Sequence, residues 1–185
     1  MRRRMAALVL IGGTCAALIS GCARGVPVTS QRIPSRTPAP AAGVAAPEKS
    51  LVPMPRLDYT SPASVAAAFF TTWASIDAIH DPDGASLARC APLITPALRR
   101  ELASNQPDQA EWQAIHRARL VSLVHVQAIT HPSGAPPASR TRVFLRIYAE
   151  RVTITREGRT VLSDGITVQL DRIHGRWLVA RILFW

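Results

Sequence analysis

Residues 59–185 are predicted to fold as an α+β domain, with N-terminal helices packed on a curved antiparallel sheet. Three observations lead there. Apolar residues recur at helical spacing in the first half of this region and alternate in the second, so helices precede strands instead of interleaving with them. Proline and glycine stand where the period changes. The alternation slips once by one residue, the pattern of a bent strand. About 127 residues suffice to bury roughly two thirds of the unfolded surface.

Each element has its own local argument. Ser61-Pro62 reads as a helix cap and first helical residue. Val65, Phe69, Trp73 and Ile76 then form one stripe on a helix expected to reach about Ala78, before Asp81-Pro82 stops it. Residues 84–91 make a short second helix. Thr95-Pro96 caps a third, with Leu98 and Leu102 inward and Arg99, Arg100 and Glu101 outward. Residues 107–117 are a further helical piece. Residues 120–129 are rich in β-branched types and open the strands. A Pro/Gly loop over 131–139 follows. In 140–155, Val143, Leu145, Ile147 and Ala149 hold odd positions, whereas Val152 and Ile154 hold even ones, which suggests a β-bulge near Glu150–Arg151. Glu157-Gly158 turns the chain into a strand marked by Ile166, Val168 and Leu170. His174-Gly175 closes a hairpin into the apolar run 177–185.

The first 58 residues have another character. Met1–Arg4 is a short positive segment, and Met5–Gly21 is an uncharged apolar run. Ile19-Ser20-Gly21-Cys22 ends it. Charges, apolar run and this tetrapeptide together resemble the bacterial lipoprotein signal. The resemblance implies removal of residues 1–21, a thioether-linked diacylglycerol on Cys22, and an extracytoplasmic chain anchored to the cell membrane. The alternative is an uncleaved membrane helix, but seventeen residues sit at the short limit for spanning, and Gly12, Gly13 and Thr14 weaken the run. Either way the arginines stay inside and the rest lies outside. Residues 22–58 carry seven prolines among Ala, Ser and Thr without helical or strand periodicity. They are expected to be a disordered tether, reaching about 100 Å at full extension.

Net charge is +10, with 21 arginines and a single lysine, Lys49. Much of the excess lies in the signal and tether. Residues 56–185 hold 15 arginines against 11 acids, spread through helices and strands, so nucleic-acid binding is not expected.

The segments SPASVAAAFFTTWASID, CAPLITPALRRELA and GRWLVARILFW, with long bent strands between the last two, resemble the nuclear-transport-factor-2-like superfamily. The resemblance covers about residues 59–185 and implies a curved sheet wrapped around helices as a cone. Within that superfamily it looks most like envelope-tethered actinobacterial members, some of them components of conjugative or type IV secretion machinery. Those usually carry a true membrane helix where this chain has a lipobox. The implied partners are envelope proteins and the membrane, with oligomerisation left open.

Candidate chemistry is sparse. Asp77, His80 and Asp81 share one face if helical, at i, i+3 and i+4, where they could bind a metal or move a proton; a solvated polar helix end explains them as well. The other histidines, His116, His125, His131 and His174, have no zinc-site spacing. Cys90 reads as a small buried apolar residue. Trp73, Trp112, Trp177 and Trp185 read as core filling before ligand lining. Phosphate-loop and nucleophile-elbow motifs are absent from the sequence. No catalytic, metal or cofactor residue is assigned. The reading is a non-catalytic scaffold or interaction module, with a small-ligand binder or cone-mouth enzyme as its alternative. A cone plugged by Phe69, Phe70, Trp73 and Trp177 would favour the first.

Overall fold

The computed structural model describes residues 50–53 and 55–183. The expected signal, Cys22, the tether up to residue 49, and Phe184 and Trp185 lie outside the described residues. Among those described, no helix is long and apolar enough to cross a membrane.

Helix α1 spans Pro62–Ala74. Ser61 caps it by accepting the Ser64 N–H, and Pro62 stands where no intrahelical donor is needed. Val65, Ala66, Ala68, Phe69 and Phe70 are buried. The buried Thr72 hydroxyl donates to the Ala68 carbonyl at 2.7 Å, so it leaves no polar group unpaired. The helix ends four residues before the expected Ala78. Ser75 is extended, its hydroxyl accepts the Val124 N–H at 2.9 Å, and Ile76–Asp77 form strand β1. Pairing with a distant strand outweighs the local helical stripe.

The next helices follow the sequence. Helix α2, Ala85–Cys90, runs into a 3-10 turn over Ala91–Leu93. Helix α3, Pro96–Ser104, is capped by Thr95, which accepts the Leu98 N–H, and it buries Leu98 and Leu102. Helix α4, Gln109–Ala118, begins with a reciprocal Asp108–Glu111 capping box and buries Trp112.

The sheet adds β2 (Val121–Thr130), β3 (Arg142–Thr155), β4 (Gly158–Ile173) and β5 (Arg176–Leu183). Its order is β1-β2-β3-β4-β5, with every neighbour antiparallel. The result is an α+β fold whose five-stranded sheet curls around α1 as a half-barrel. Val143, Leu145 and Ile147 pair with Leu170, Val168 and Ile166, and together they form one core with Phe69 and Phe70.

The bend arises differently from expectation. β3 pairs with β4 without interruption from Arg142 to Thr155, so no bulge lies at Glu150–Arg151. The irregularities fall on β2, where Gln127 is extra, and on β5, where Ala180 is extra. Unbroken pleating puts Val152 and Ile154 on the face opposite Val143–Ala149. The slip in the sequence marks a change of face by the apolar residues: Val152 is buried there and Ile154 is exposed. At Gly165 the strands crowd: a Cβ there would lie 2.5 Å from the Ile147 carbonyl oxygen. The β4–β5 turn has positive φ at both His174 and Gly175, 49° and 81°, which suits the right-handed twist of the strands.

Domain packing also begins before residue 59. Val52 is buried, and the Leu51 N–H bonds to Asp77. Part of the stretch expected to be tether is therefore docked.

Candidate functional site

The three polar residues singled out from sequence lie where α1 gives way to the sheet. They do not share a helical face, because residues 75–80 are not helical. Asp77 is fully buried. Its Oδ1 accepts the N–H groups of Ile79 and His80 at 3.1 and 3.3 Å, closing a turn onto its own side chain. Its Oδ2 receives the Leu51 N–H at 2.8 Å and lies 2.8 Å from His80 Nδ1. Burial pushes the Asp77 carboxyl up, but the bonds from Leu51, His80 and Ile79 together outweigh it and hold the group below its ordinary value.

Asp81 turns to a different partner. Its Oδ2 accepts Arg89 Nη1 at 2.6 Å, while Arg89 Nη2 reaches the Ser75 carbonyl at 3.1 Å. From the sheet side, Arg151 donates to the Ala74 carbonyl at 2.8 Å and to Ser122 Oγ at 3.0 Å, and it pairs with Asp164. Two guanidinium groups thus sit on the carbonyls where α1 ends, that of its last residue Ala74 and that of its cap Ser75, where the helix dipole favours positive charge. Sequence reasoning missed both arginines. Arg151 lies 77 residues from Ala74, and no local pattern links them.

His116 also belongs to this region. Its Nδ1 lies 2.9 Å from the Ala78 carbonyl and its Nε2 lies 2.6 Å from Asp83 Oδ1. Two acceptors call for two N–H groups. Asp83, and then the Ala78 carbonyl, accordingly raise the imidazole above its ordinary value.

Between β1, α2 and α4 lies a recess lined by Asp77, Asp81, Arg89 and Trp112, with room for about one water molecule. Its carboxylates are already engaged within the fold. The arrangement fixes the crossover from helix to sheet.

The remaining candidates scatter. Cys90 is buried, and burial pushes its thiol up to about 11, the opposite of what a nucleophile needs. His125 is exposed on β2, His131 bonds the Pro136 carbonyl, and His174 is in a turn. Among the described residues no three metal-ligating side chains converge. Phe69, Phe70 and Trp177 are buried inside the curl of the sheet, and Trp73 stacks on Phe69 with ring centroids 5.4 Å apart.

No protein-family model matches the chain. No curated protein matches it. Among solved structures, it is similar to the intermembrane space region of the chloroplast protein ARC6, at 12% identity over 71% of this chain and 100% of that one, with a TM-score of 0.38. A likeness at that level carries no argument about function.

Proposed function

We propose that this chain is a membrane-anchored extracytoplasmic lipoprotein whose α+β domain is a nuclear-transport-factor-2-like cone acting as a non-catalytic scaffold or interaction module. Its setting would be an envelope assembly of the conjugative or type IV secretion kind. The observation that carries the reading is Ile19-Ser20-Gly21-Cys22 at the end of an uncharged apolar run behind three arginines. The filled interior supports scaffold over small-ligand binder, because Phe69, Phe70 and Trp177 occupy the space a ligand would need. The engagement of Asp77, His80 and Asp81 within the fold supports it over an enzyme. The test is metabolic labelling with a radioactive fatty acid. Label is expected on the full-length protein and lost in Cys22→Ala, which accumulates as a larger precursor. An unlabelled protein that retains Met1 by intact mass overturns the reading.

A further inference from the structure

The sheet face turned away from α1 has a composition that the core does not explain. Strand pairing sets Arg142, Phe144, Arg146 and Tyr148 of β3 side by side with Arg181 of β5 on that face. The residues between them, Thr167 and Gln169 of β4, are buried. Arg146 is positioned: its Nη1 donates to Thr167 Oγ1 at 3.3 Å, and its guanidinium lies 5.7 Å from the centre of the Tyr148 ring. Tyr148 is nonetheless 48% exposed and Arg181 is exposed. Asp171 is the carboxylate on this part of the face, and it is bonded to Arg142 at 2.8 Å. Glu150 follows one pleat beyond Tyr148, next to His125, and the face then turns aliphatic at Val152 and Val161. Three arginines beside an exposed tyrosine therefore face outward against two acids: Asp171, which is paired to Arg142, and Glu150 at the far end, which leaves Arg146 and Arg181 as the outward cations nearest the tyrosine.

We infer that this face is a docking surface for an anionic lipid bilayer. Guanidinium groups bind phosphate oxygens, and a tyrosine with an apolar body and a polar tip suits the headgroup level. A second copy placed face to face would set arginine against arginine, so the charge argues against self-association there. Distance favours the bilayer. Resting on the proposed lipid anchor, 27 residues separate Cys22 from Ser50. Even fully extended, that many residues reach no more than about 100 Å, so a lipid on Cys22 would keep the domain near the headgroups. Weak electrostatic contact then suffices to lay the domain on the membrane.

The experiment uses residues 22–185 with Cys22→Ser, so that no lipid is attached, in cosedimentation with vesicles of mixed phosphatidylglycerol and phosphatidylcholine or of phosphatidylcholine alone. Binding is expected only to the anionic vesicles, and to weaken as salt rises. Arg146→Gln with Arg181→Gln should weaken it about thirty-fold. Arg99→Gln with Arg100→Gln removes the same charge from the exposed side of α3 and should change it less than about two-fold. The basic residues of the tether stay in every variant, so the difference reports on the face. Should loss of the Thr167 contact unfold the double variant, Arg181→Gln alone should still cost about five-fold. Equal binding by all variants, or no binding to anionic vesicles, overturns the inference. Fatty-acid labelling reads separately. Labelled Cys22 with no vesicle binding defeats this face alone, and vesicle binding without label defeats the anchor alone.

Discussion

The first turns of α1 and its last turn are held by different physics. Val65, Phe69 and Phe70 lie against Ile147, Val168 and Leu170, where attachment comes from area and from the absence of voids. At the other end, Ala74 and Ser75 are held by Arg151 and Arg89, and the chain just beyond is pinned by the buried Asp77. That attachment is directional, made by a few charged groups with named partners. An area-based contact tolerates small shifts and fails through cavities. A directional one fails when a single partner is lost and its mates stay buried.

The sharpest way to break this contrast begins at the apolar end. Phe69 is fully buried and stacks on Trp73. Phe69→Ala removes the ring and leaves a cavity, at about 3–5 kcal/mol. Against a total stability of about 5–15 kcal/mol, this is the largest loss expected from one substitution. Chemical denaturation should show the midpoint falling with little change in slope. A loss under about 1 kcal/mol would mean that the ring is not part of the core.

A smaller effect is expected at the polar end. Asp77→Ala strips Ile79, His80 and Leu51 of a common acceptor, at about 2 kcal/mol or somewhat more. Part of that loss is shared with the segment before residue 57. A chain starting at Leu57 lacks Val52 and the Leu51 N–H, and should lose about 1–3 kcal/mol. The two changes share one bond, so the combined variant should be less destabilised than their sum, as measured by a double-mutant cycle. Strict additivity would show that residues 50–53 do not depend on Asp77.

The same contrast explains what was legible in the sequence. The stripe Val65–Phe69–Trp73, the Ser61 and Thr95 caps and the His174-Gly175 turn are local patterns, and each appears where it was expected. The end of α1 is not local. β1 exists because Ile76 and Asp77 meet Ser122 and Val121, more than forty residues on. The slip between Ala149 and Val152 is visible in the sequence, but periodicity cannot distinguish a bulge from an unbroken strand whose apolar residues change face. Asp77, His80 and Asp81 were recognisable by type, and their assembly was not. It needs a turn in place of a helix, with Leu51 and Arg89 brought in from outside. His116 carried no signal either, since Asp83 lies 33 residues away.

The smallest expected effect concerns that histidine. His116 donates hydrogen bonds to Asp83 and to the Ala78 carbonyl in the folded state, and its folded value lies above the ordinary 6.5. The stabilisation is therefore fully present below the unfolded value and is lost as pH rises through the folded one. Asp77 acts in the opposite sense. Its folded value is depressed, so its contribution is present above the unfolded carboxylate value and lost as pH falls through the folded one. Between these windows, from about pH 4 to about pH 6.5, both contributions hold, and the thermal midpoint should be highest there. The His116–Asp83 side chains are 38% and 55% exposed, so solvent screening limits the pair to at most about 1 kcal/mol. For a domain of this size that is a decline of a few degrees on the alkaline side. Asp83→Asn keeps an oxygen acceptor but removes the charge, and it should flatten the decline while leaving the acid side unaltered. An NMR titration assigns the effect to its residue, because the His116 ring signals should move at a pH above the usual histidine range and return toward it in Asp83→Asn. An unshifted His116 titration, or an alkaline decline indifferent to Asp83, would leave the Ala78 and Asp83 contacts as geometry without linkage.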